Sequence, residues 1–181
     1  MEEIRSELDC DGAVPYFDPA DGGERAKCLF VLEAPGARAV QSGFVSRDNP
    51  DETAKNFLLL NAEAEIPREV TATWNIVPWY IGTTERIRAA TLADVSAGWP
   101  YLQRALELLP EVRVVALLGQ KAQRIRQLLA SSRPDLSVIG CPHPSPLFIN
   151  RAPGNRLSVL AALREVAGHL TTGRSRPQGA A

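Results

Sequence analysis

The stretch VRVVALLGQKAQRIRQLLASSRPDLSVIGC, residues 112–141, contains two short apolar runs separated by an amphipathic segment. The runs VRVVALLG (112–119) and LSVIGC (136–141) have the length and composition of buried strands. The segment between them, QKAQRIRQLLASS (120–132), has the periodicity of an amphipathic helix. A strand, a helix and a second strand in this order predict two parallel strands of one sheet.

Two more apolar segments lie toward the N-terminus. KCLFVL (27–32) predicts a buried strand that ends in a turn, and VTATWNIV (70–77) predicts a strand that Pro78 stops. Helices are predicted around these strands, over residues 49–64, 91–110 and 154–170. Four strands that alternate with helices predict an α/β fold: a three-layer α/β/α sandwich with a central four-stranded parallel sheet.

Two details of the predicted helices depend on single residues. Either Asp51 or Asn49 is expected to cap the first of these helices, because both side chains can accept from a free N–H group. Pro100 lies near the middle of the second helix and indicates a new helix start or a kink there.

The length of 181 residues predicts one domain, over residues 1–171. The first 26 residues are rich in Gly, Pro and Asp and are expected to be irregular apart from one short helix. The polar residues 172–181 are expected to form a disordered tail.

The composition excludes several classes of protein. No apolar run reaches the ~18 residues that a membrane span needs, and the acidic N-terminus lacks the apolar region of a signal peptide. We therefore expect a cytoplasmic protein with no membrane partner, and a monomer. The net charge of −1 gives no indication of a nucleic-acid partner by itself. The three cysteines are widely spaced and form no CxxC pair, which argues against a zinc site or a redox motif.

Three unusual stretches follow predicted strands at their carboxyl ends. EAPG (33–36) follows the first strand, NIVPW (75–79) ends the second, and PHPSP (142–146) follows the fourth. In open parallel sheets, ligand sites form beyond the carboxyl ends of the strands. The sequence therefore predicts a functional site at this edge of the sheet.

Taken together, four stretches resemble the uracil-DNA glycosylase superfamily. LEAPGA (32–37) is similar to the first motif of the family 4 and family 5 enzymes, and SGF (42–44) to the loop that follows it. TWNIVPW (73–79) resembles the strand that recognises the base, and CPHPSPLFINR (141–151) resembles the His-Pro-Ser-Pro-Leu signature of the first-described family. The resemblance implies hydrolysis of the N-glycosidic bond of uracil, or of a related deaminated base, in DNA by base flipping, leaving an abasic site.

The resemblance assigns the chemical step to few side chains. His143 is expected to donate to uracil O2 as negative charge develops on the departing base, although a histidine in such a loop can also cap a turn. Glu33 is the first choice for positioning the attacking water, but a carboxylate there could instead cap the next helix. Asp48 is the alternative, because its loop, SRDNPD, departs from the family pattern.

Base recognition is assigned to five residues. Asn75 carries an amide that can pair with uracil O4 and N3–H, unless it bonds the backbone at the sheet end. Phe44 is expected to stack on the base, with core packing as the alternative. The resemblance places the backbone of Ala34, Pro35 and Gly36 beside the base as well.

Contacts with DNA are assigned to the proline-rich loop and the residues just beyond it. The residues are Pro144, Ser145, Pro146, Leu147, Phe148 and Arg151. The prolines fix the loop so that it loses little entropy on binding. Ser145 and Arg151 would contact phosphates, although an ordinary turn serine and a solvated arginine are the alternatives. Leu147 or Phe148 would fill the gap left by the flipped base, or pack under the loop.

Two departures from the family pattern limit the resemblance. Family 4 enzymes use four cysteines to hold an iron–sulfur cluster, whereas this chain has three in a different spacing, so we predict no cluster, metal or other cofactor. Leu32 stands where relatives have Gly. A second hypothesis is therefore a protein that binds damaged DNA or an abasic site without turnover. Neither GxGxxG nor a P-loop is present to support a nucleotide enzyme.

Overall fold

A computed structural model describes residues 2–8, 14–82 and 88–172. The helices are α1 (Glu2–Glu7), α2 (Ala37–Ser42), α3 (Glu52–Glu63), α4 (Leu92–Glu107), α5 (Gln120–Gln123), α6 (Arg126–Ser132), α7 (Pro146–Ile149) and α8 (Asn155–Thr172). The strands are β1 (Tyr16–Phe17), β2 (Cys28–Leu32), β3 (Phe44–Val45), β4 (Thr71–Asn75), β5 (Val114–Leu118) and β6 (Ser137–Cys141). Short 3₁₀ turns span Gly23–Arg25 and Arg68–Val70.

The four long strands form one sheet in the order β4-β2-β5-β6, and every neighbouring pair is parallel. This confirms the predicted α/β fold with a central four-stranded parallel sheet. Leu32 pairs with Asn75, and Leu118 pairs with Cys141, so the strands end level with one another. The loops after β2, β4, β5 and β6 therefore start from the same edge of the sheet.

Side chains alternate between the two faces of the sheet and build two cores. Leu29 and Val31 of β2 belong to a cluster that includes residues of α4, α5 and α6. Cys28 and Phe30 of the same strand belong to a second cluster, with residues of α3 and α8. Helices thus cover both faces, because a parallel sheet must bury both of its apolar surfaces.

Helix α4 starts at a capping box rather than at Pro100. The Thr91 hydroxyl accepts from the Asp94 N–H (3.2 Å), and the Asp94 carboxylate accepts from the Thr91 N–H (2.7 Å). Pro100 lies inside the continuous helix, so of the two alternatives, a new helix start or a kink, the new start is wrong. Gly98 lets the helix approach β4, since a Cβ there would lie 1.8 Å from the Ile76 carbonyl oxygen.

Other segments differ from the sequence-based expectations. The predicted helix 120–132 is divided into α5 and α6 by a tight turn at Arg124 and Ile125. The N–H groups of these two residues donate to the carbonyls of Lys121 and Ala122, three residues earlier (3.3 Å each), and Ile125 is buried. The N-terminal region contains the predicted short helix but also β1, which pairs in parallel with β3. Helix α8 extends through Thr172, and the rest of the predicted tail lies outside the described residues. None of the described helices is long and apolar enough to cross a bilayer.

Candidate active site

A cavity of about 430 Å³ opens at the carboxyl edge of the sheet, and we call it the edge cavity. Its wall includes Ala34, Pro35 and Gly36 of the turn after β2. Asn75 contributes from the end of β4, and His143 from the loop after β6. The level ends of the strands thus bring residues from three separate stretches of sequence to one cavity.

The imidazole of His143 has a defined tautomer. Its Nδ1 accepts from the backbone N–H of Ser145 (3.2 Å), so in the neutral ring the proton lies on Nε2. Burial lowers the pKa of His143 below its ordinary value, while nearby Glu33 opposes the shift. The neutral ring therefore presents an Nε2–H donor at the wall of the cavity.

Gly119, directly after β5, lies against the imidazole of His143. Its φ of +86° lies in a region that other residues rarely adopt, and a Cβ on it would lie 3.1 Å from Cδ2 of His143. The ring therefore packs against the bare backbone of this glycine. Sequence reasoning missed this role, although a glycine at the end of a buried strand is a visible signal of close approach.

The loop that carries His143 is held at both ends. The Asn56 side chain on α3 donates to the Pro144 carbonyl (3.1 Å). The Cys141 carbonyl accepts from the Gly119 N–H (2.8 Å) and from Gln123 Nε2 (2.9 Å). These bonds fix the loop to the sheet and to α3, and the sequence alone gave no sign of the contact with Asn56.

Asn75 is 3% exposed at the cavity wall. Within residues 2–8, 14–82 and 88–172, its side-chain amide makes no hydrogen bond, to backbone or side chain. A buried amide without a partner is destabilising, so such groups usually bind something. The amide N–H and C=O are therefore free for a ligand in the edge cavity.

The aromatic ring at the cavity is that of Phe57 and not that of Phe44. Strand β3 directs Val45 into the cavity wall and leaves Phe44 about one third (36%) exposed, with its ring centroid 6.2 Å from that of Tyr16. Side chains of a strand alternate between its faces, so both neighbours cannot face the cavity. Phe57 of α3 lines the cavity and packs edge-on against Phe30 (4.9 Å).

Of the two carboxylates proposed to position water, only Glu33 lies near His143. Glu33 and His143 both line a second, open depression of about 1,140 Å³, which we call the loop groove. Glu33 Oε1 accepts from the Ala90 N–H (2.6 Å), so it also ties down the chain just before α4. The Asp48 carboxylate is mostly exposed, pairs with Arg68 (2.8 Å) and lines neither depression.

The proline-rich loop forms the rim of the loop groove. Leu147 is 87% exposed there, whereas Phe148 packs against the core shared by α3 and α8. The Ser145 side chain makes no capping bond to the short helix α7 that follows it. Arg151 also lines the groove, whereas Pro144 is buried behind the loop. Leu147 is thus the apolar side chain that projects from the loop.

No group of three or more His, Cys, Asp or Glu side chains suited to a metal ion is found in the described part of the chain. Cys28 and Cys141 are buried free thiols, and Cys10 lies outside the described residues. Burial raises the pKa of both described thiols, which keeps them protonated and poor as metal ligands or nucleophiles.

Comparison with known proteins agrees with this fold. The solution NMR structure of a candidate uracil DNA glycosylase from Methanosarcina acetivorans has a TM-score of 0.54 and 14% identity, covering 85% of this chain and 99% of that chain. The crystal structure of wild-type SMUG2 from Pedobacter heparinus has a TM-score of 0.62 and 9% identity, covering 82% of this chain and 77% of that chain. No curated protein matches the sequence. These structures share the fold, and a model of the uracil DNA glycosylase superfamily matches residues 19–167, so the chain belongs to that superfamily.

Proposed function

We propose that this protein is a DNA glycosylase that hydrolyses the N-glycosidic bond of uracil, or of a related deaminated base, and leaves an abasic site. The observation that carries the proposal is that two side chains line the same cavity: His143, whose Nδ1 accepts from the Ser145 N–H, and Asn75, whose amide makes no hydrogen bond within the described residues. A base with carbonyl oxygens satisfies both groups at once.

Recognition of the base precedes the chemical step. The nucleotide swings out of the duplex, and its base enters the edge cavity, while Leu147 fills the gap in the stack. Asn75 pairs with O4 and N3–H of uracil, and the turn of Ala34, Pro35 and Gly36 lies along the base. Phe57 supplies an aromatic contact.

The C1′–N1 bond then breaks with its electron pair on the base. His143 donates its Nε2–H to O2, where negative charge develops, and a preorganised donor of this kind lowers the barrier without reorganising. Glu33, in the adjoining groove, orients a water toward C1′. The water oxygen bonds to C1′, its proton passes to the carboxylate or to solvent, and the base leaves as an anion that is later protonated.

The backbone of the DNA lies in the loop groove. Ser145 and Arg151, which line this groove, bond phosphate oxygens. Pro144 and Pro146 stiffen the loop. Since the chain has a net charge of −1, affinity depends on these local donors.

The test is single-turnover excision with labelled oligonucleotides that carry uracil, hypoxanthine, xanthine or thymine opposite guanine. Abasic products are revealed by alkali cleavage, and His143→Ala is the matched control for contaminating activity. Excision of a deaminated base by the parent and not by the control supports the proposal. Lesion-specific binding without excision of any of the bases would instead establish a non-catalytic damage-binding protein.

A further inference from the structure

A buried guanidinium in the wall of the edge cavity has no part in the roles assigned so far. Arg47, in the loop between β3 and α3, lines this cavity beside Thr73 and Asn75 and is 3% exposed. Its Nη2 donates to Asp21 Oδ1 (2.7 Å) and to the Thr71 hydroxyl (2.6 Å). The Nε–H is buried without a partner, and Nη1 makes no hydrogen bond within the described residues. Three of its five N–H groups are therefore unused.

The ion pair with Asp21 does not by itself account for Arg47. Arg68 also donates to Asp21 Oδ1 (3.0 Å), and it lies outside the edge cavity. Asp21 would therefore keep one cationic partner if Arg47 were absent. An arginine needed for neutralisation alone would have no reason to leave donors without partners among the described residues, in the wall that Asn75 also lines, since unpaired buried donors are destabilising.

Asp21 also fixes two side chains of the cavity wall. Its carboxylate bonds Arg47 through Oδ1 and accepts from the Thr73 hydroxyl through Oδ2 (3.3 Å). A guanidinium fixed in this way is preorganised, so it loses little freedom when a ligand arrives. The cavity thus combines a neutral amide, a neutral imidazole donor and a fixed positive charge.

Resting on the proposed glycosylase reaction, we propose that Arg47 recognises the flipped base through a carbonyl oxygen and stabilises the anion that the base becomes. The C1′–N1 electron pair moves onto the base when the bond breaks, and a cation in a water-poor cavity favours that charge. The substrates it suits are bases with carbonyl groups on the edge away from the sugar. Bases with an amino group there, cytosine and adenine, would direct a donor at a cation.

The test compares Arg47→Gln with the parent on oligonucleotides that carry uracil or 5-fluorouracil. Fluorine stabilises the departing anion, so this base depends less on the enzyme's positive charge. We expect Arg47→Gln to slow uracil excision by about 10²-fold, as loss of one such donor does, and to slow 5-fluorouracil excision at least ~10-fold less. A purely structural residue would slow both by the same factor, which would overturn the proposal.

Two further variants separate folding from recognition. Arg47→Gln leaves Asp21 with one cationic partner fewer, so the double variant Arg47→Gln/Asp21→Asn removes both groups of the pair. The proposal requires the double variant to keep the low uracil rate, and recovery of the parent rate would overturn it. Arg68→Gln removes another partner of Asp21 without touching the cavity, and it should excise both bases at the parent rate.

Calorimetric binding of free uracil distinguishes this proposal from the proposed function. If the parent excises no base but binds free uracil, and Arg47→Gln weakens that binding by about 10-fold or more, Arg47 recognises the base and the glycosylase proposal is wrong. If the parent excises uracil and Arg47→Gln matches it in rate and in binding, the glycosylase proposal stands and the role of Arg47 is wrong.

Discussion

Replacement of Gly119 by alanine tests whether the backbone that contacts His143 positions this proposed catalytic donor. Two effects follow from the structure. At φ +86° and ψ 163° a residue with a Cβ is strained, at a cost of about 1–3 kcal/mol in the free energy of unfolding. The new methyl would also lie 3.1 Å from Cδ2 and 3.2 Å from Cβ of His143, closer than ordinary contact, so the ring must move by some tenths of an ångström.

Displacement of His143 should also slow base excision, separately from the loss of stability. Misplacing a catalytic group by about 1 Å can cost ~10²-fold, so a shift of part of that distance should slow excision by roughly 10-fold to 10²-fold. Binding of uracil-containing DNA should change little, because the groups proposed to contact phosphate are unaltered. The assays are single-turnover excision, fluorescence anisotropy with the same oligonucleotide, and thermal unfolding.

Gly43 is the matched control. It also has a positive φ, +80°, but a Cβ on it would meet nothing within 4 Å. Gly43→Ala should therefore lose about 1–2 kcal/mol of stability from the backbone alone and keep the parent rate. If Gly119→Ala excised uracil as fast as Gly43→Ala, or if both slowed equally, contact with Gly119 would not position His143.

Five other substitutions test individual side chains by single-turnover excision, with DNA binding measured as well for Leu147→Ala. His143→Ala should lower the rate by about 10²–10³-fold with DNA binding retained, and an unchanged rate would remove His143 from the mechanism. Glu33→Gln keeps an acceptor for the Ala90 N–H but removes the negative charge, so it should slow excision by ~10²-fold or more, whereas Asp48→Ala should not slow it. The opposite result would assign the positioning of the water to Asp48 in the exposed loop. Asn75→Asp should lose most uracil excision and shift residual activity toward cytosine, unless Asn75 has no part in recognition. Leu147→Ala should weaken binding to duplex DNA more than excision from single strands, and equal losses would contradict its role as a wedge.

The position of the site could be predicted because it follows from topology. The EAPG turn, Asn75 and His143 each come directly after a predicted strand, and parallel strands end at one edge of their sheet. The sheet itself was predictable from short apolar runs between amphipathic segments. No knowledge of side-chain contacts is needed for either inference.

The remaining roles depend on which way a side chain points, and local sequence does not fix that. Phe44 and Val45 are adjacent apolar residues, yet only Val45 faces the cavity. Arg47 and Asp48 are adjacent charged residues, and burial separates them: Arg47 is inside while Asp48 is on the surface. A two-residue strand carries too little pattern to show its own register, because its orientation is set by pairing with β1, far away in the sequence.

Two polar side chains in the wall of the edge cavity connect the fold to the proposed function. The Nε–H of Arg47 is buried without a partner within the described residues, which destabilises the empty protein by about 1–3 kcal/mol, and the Asn75 amide lines the cavity with no hydrogen bond to those residues. A core selected only for stability would carry apolar side chains at both positions. In the proposed reaction, a base that supplies carbonyl oxygens and an N–H pairs with the Asn75 amide and with Nη1 of Arg47 on entry, and a base with the opposite pattern cannot. In the proposed reaction, polar groups that find no partner within the described residues therefore also select the substrate.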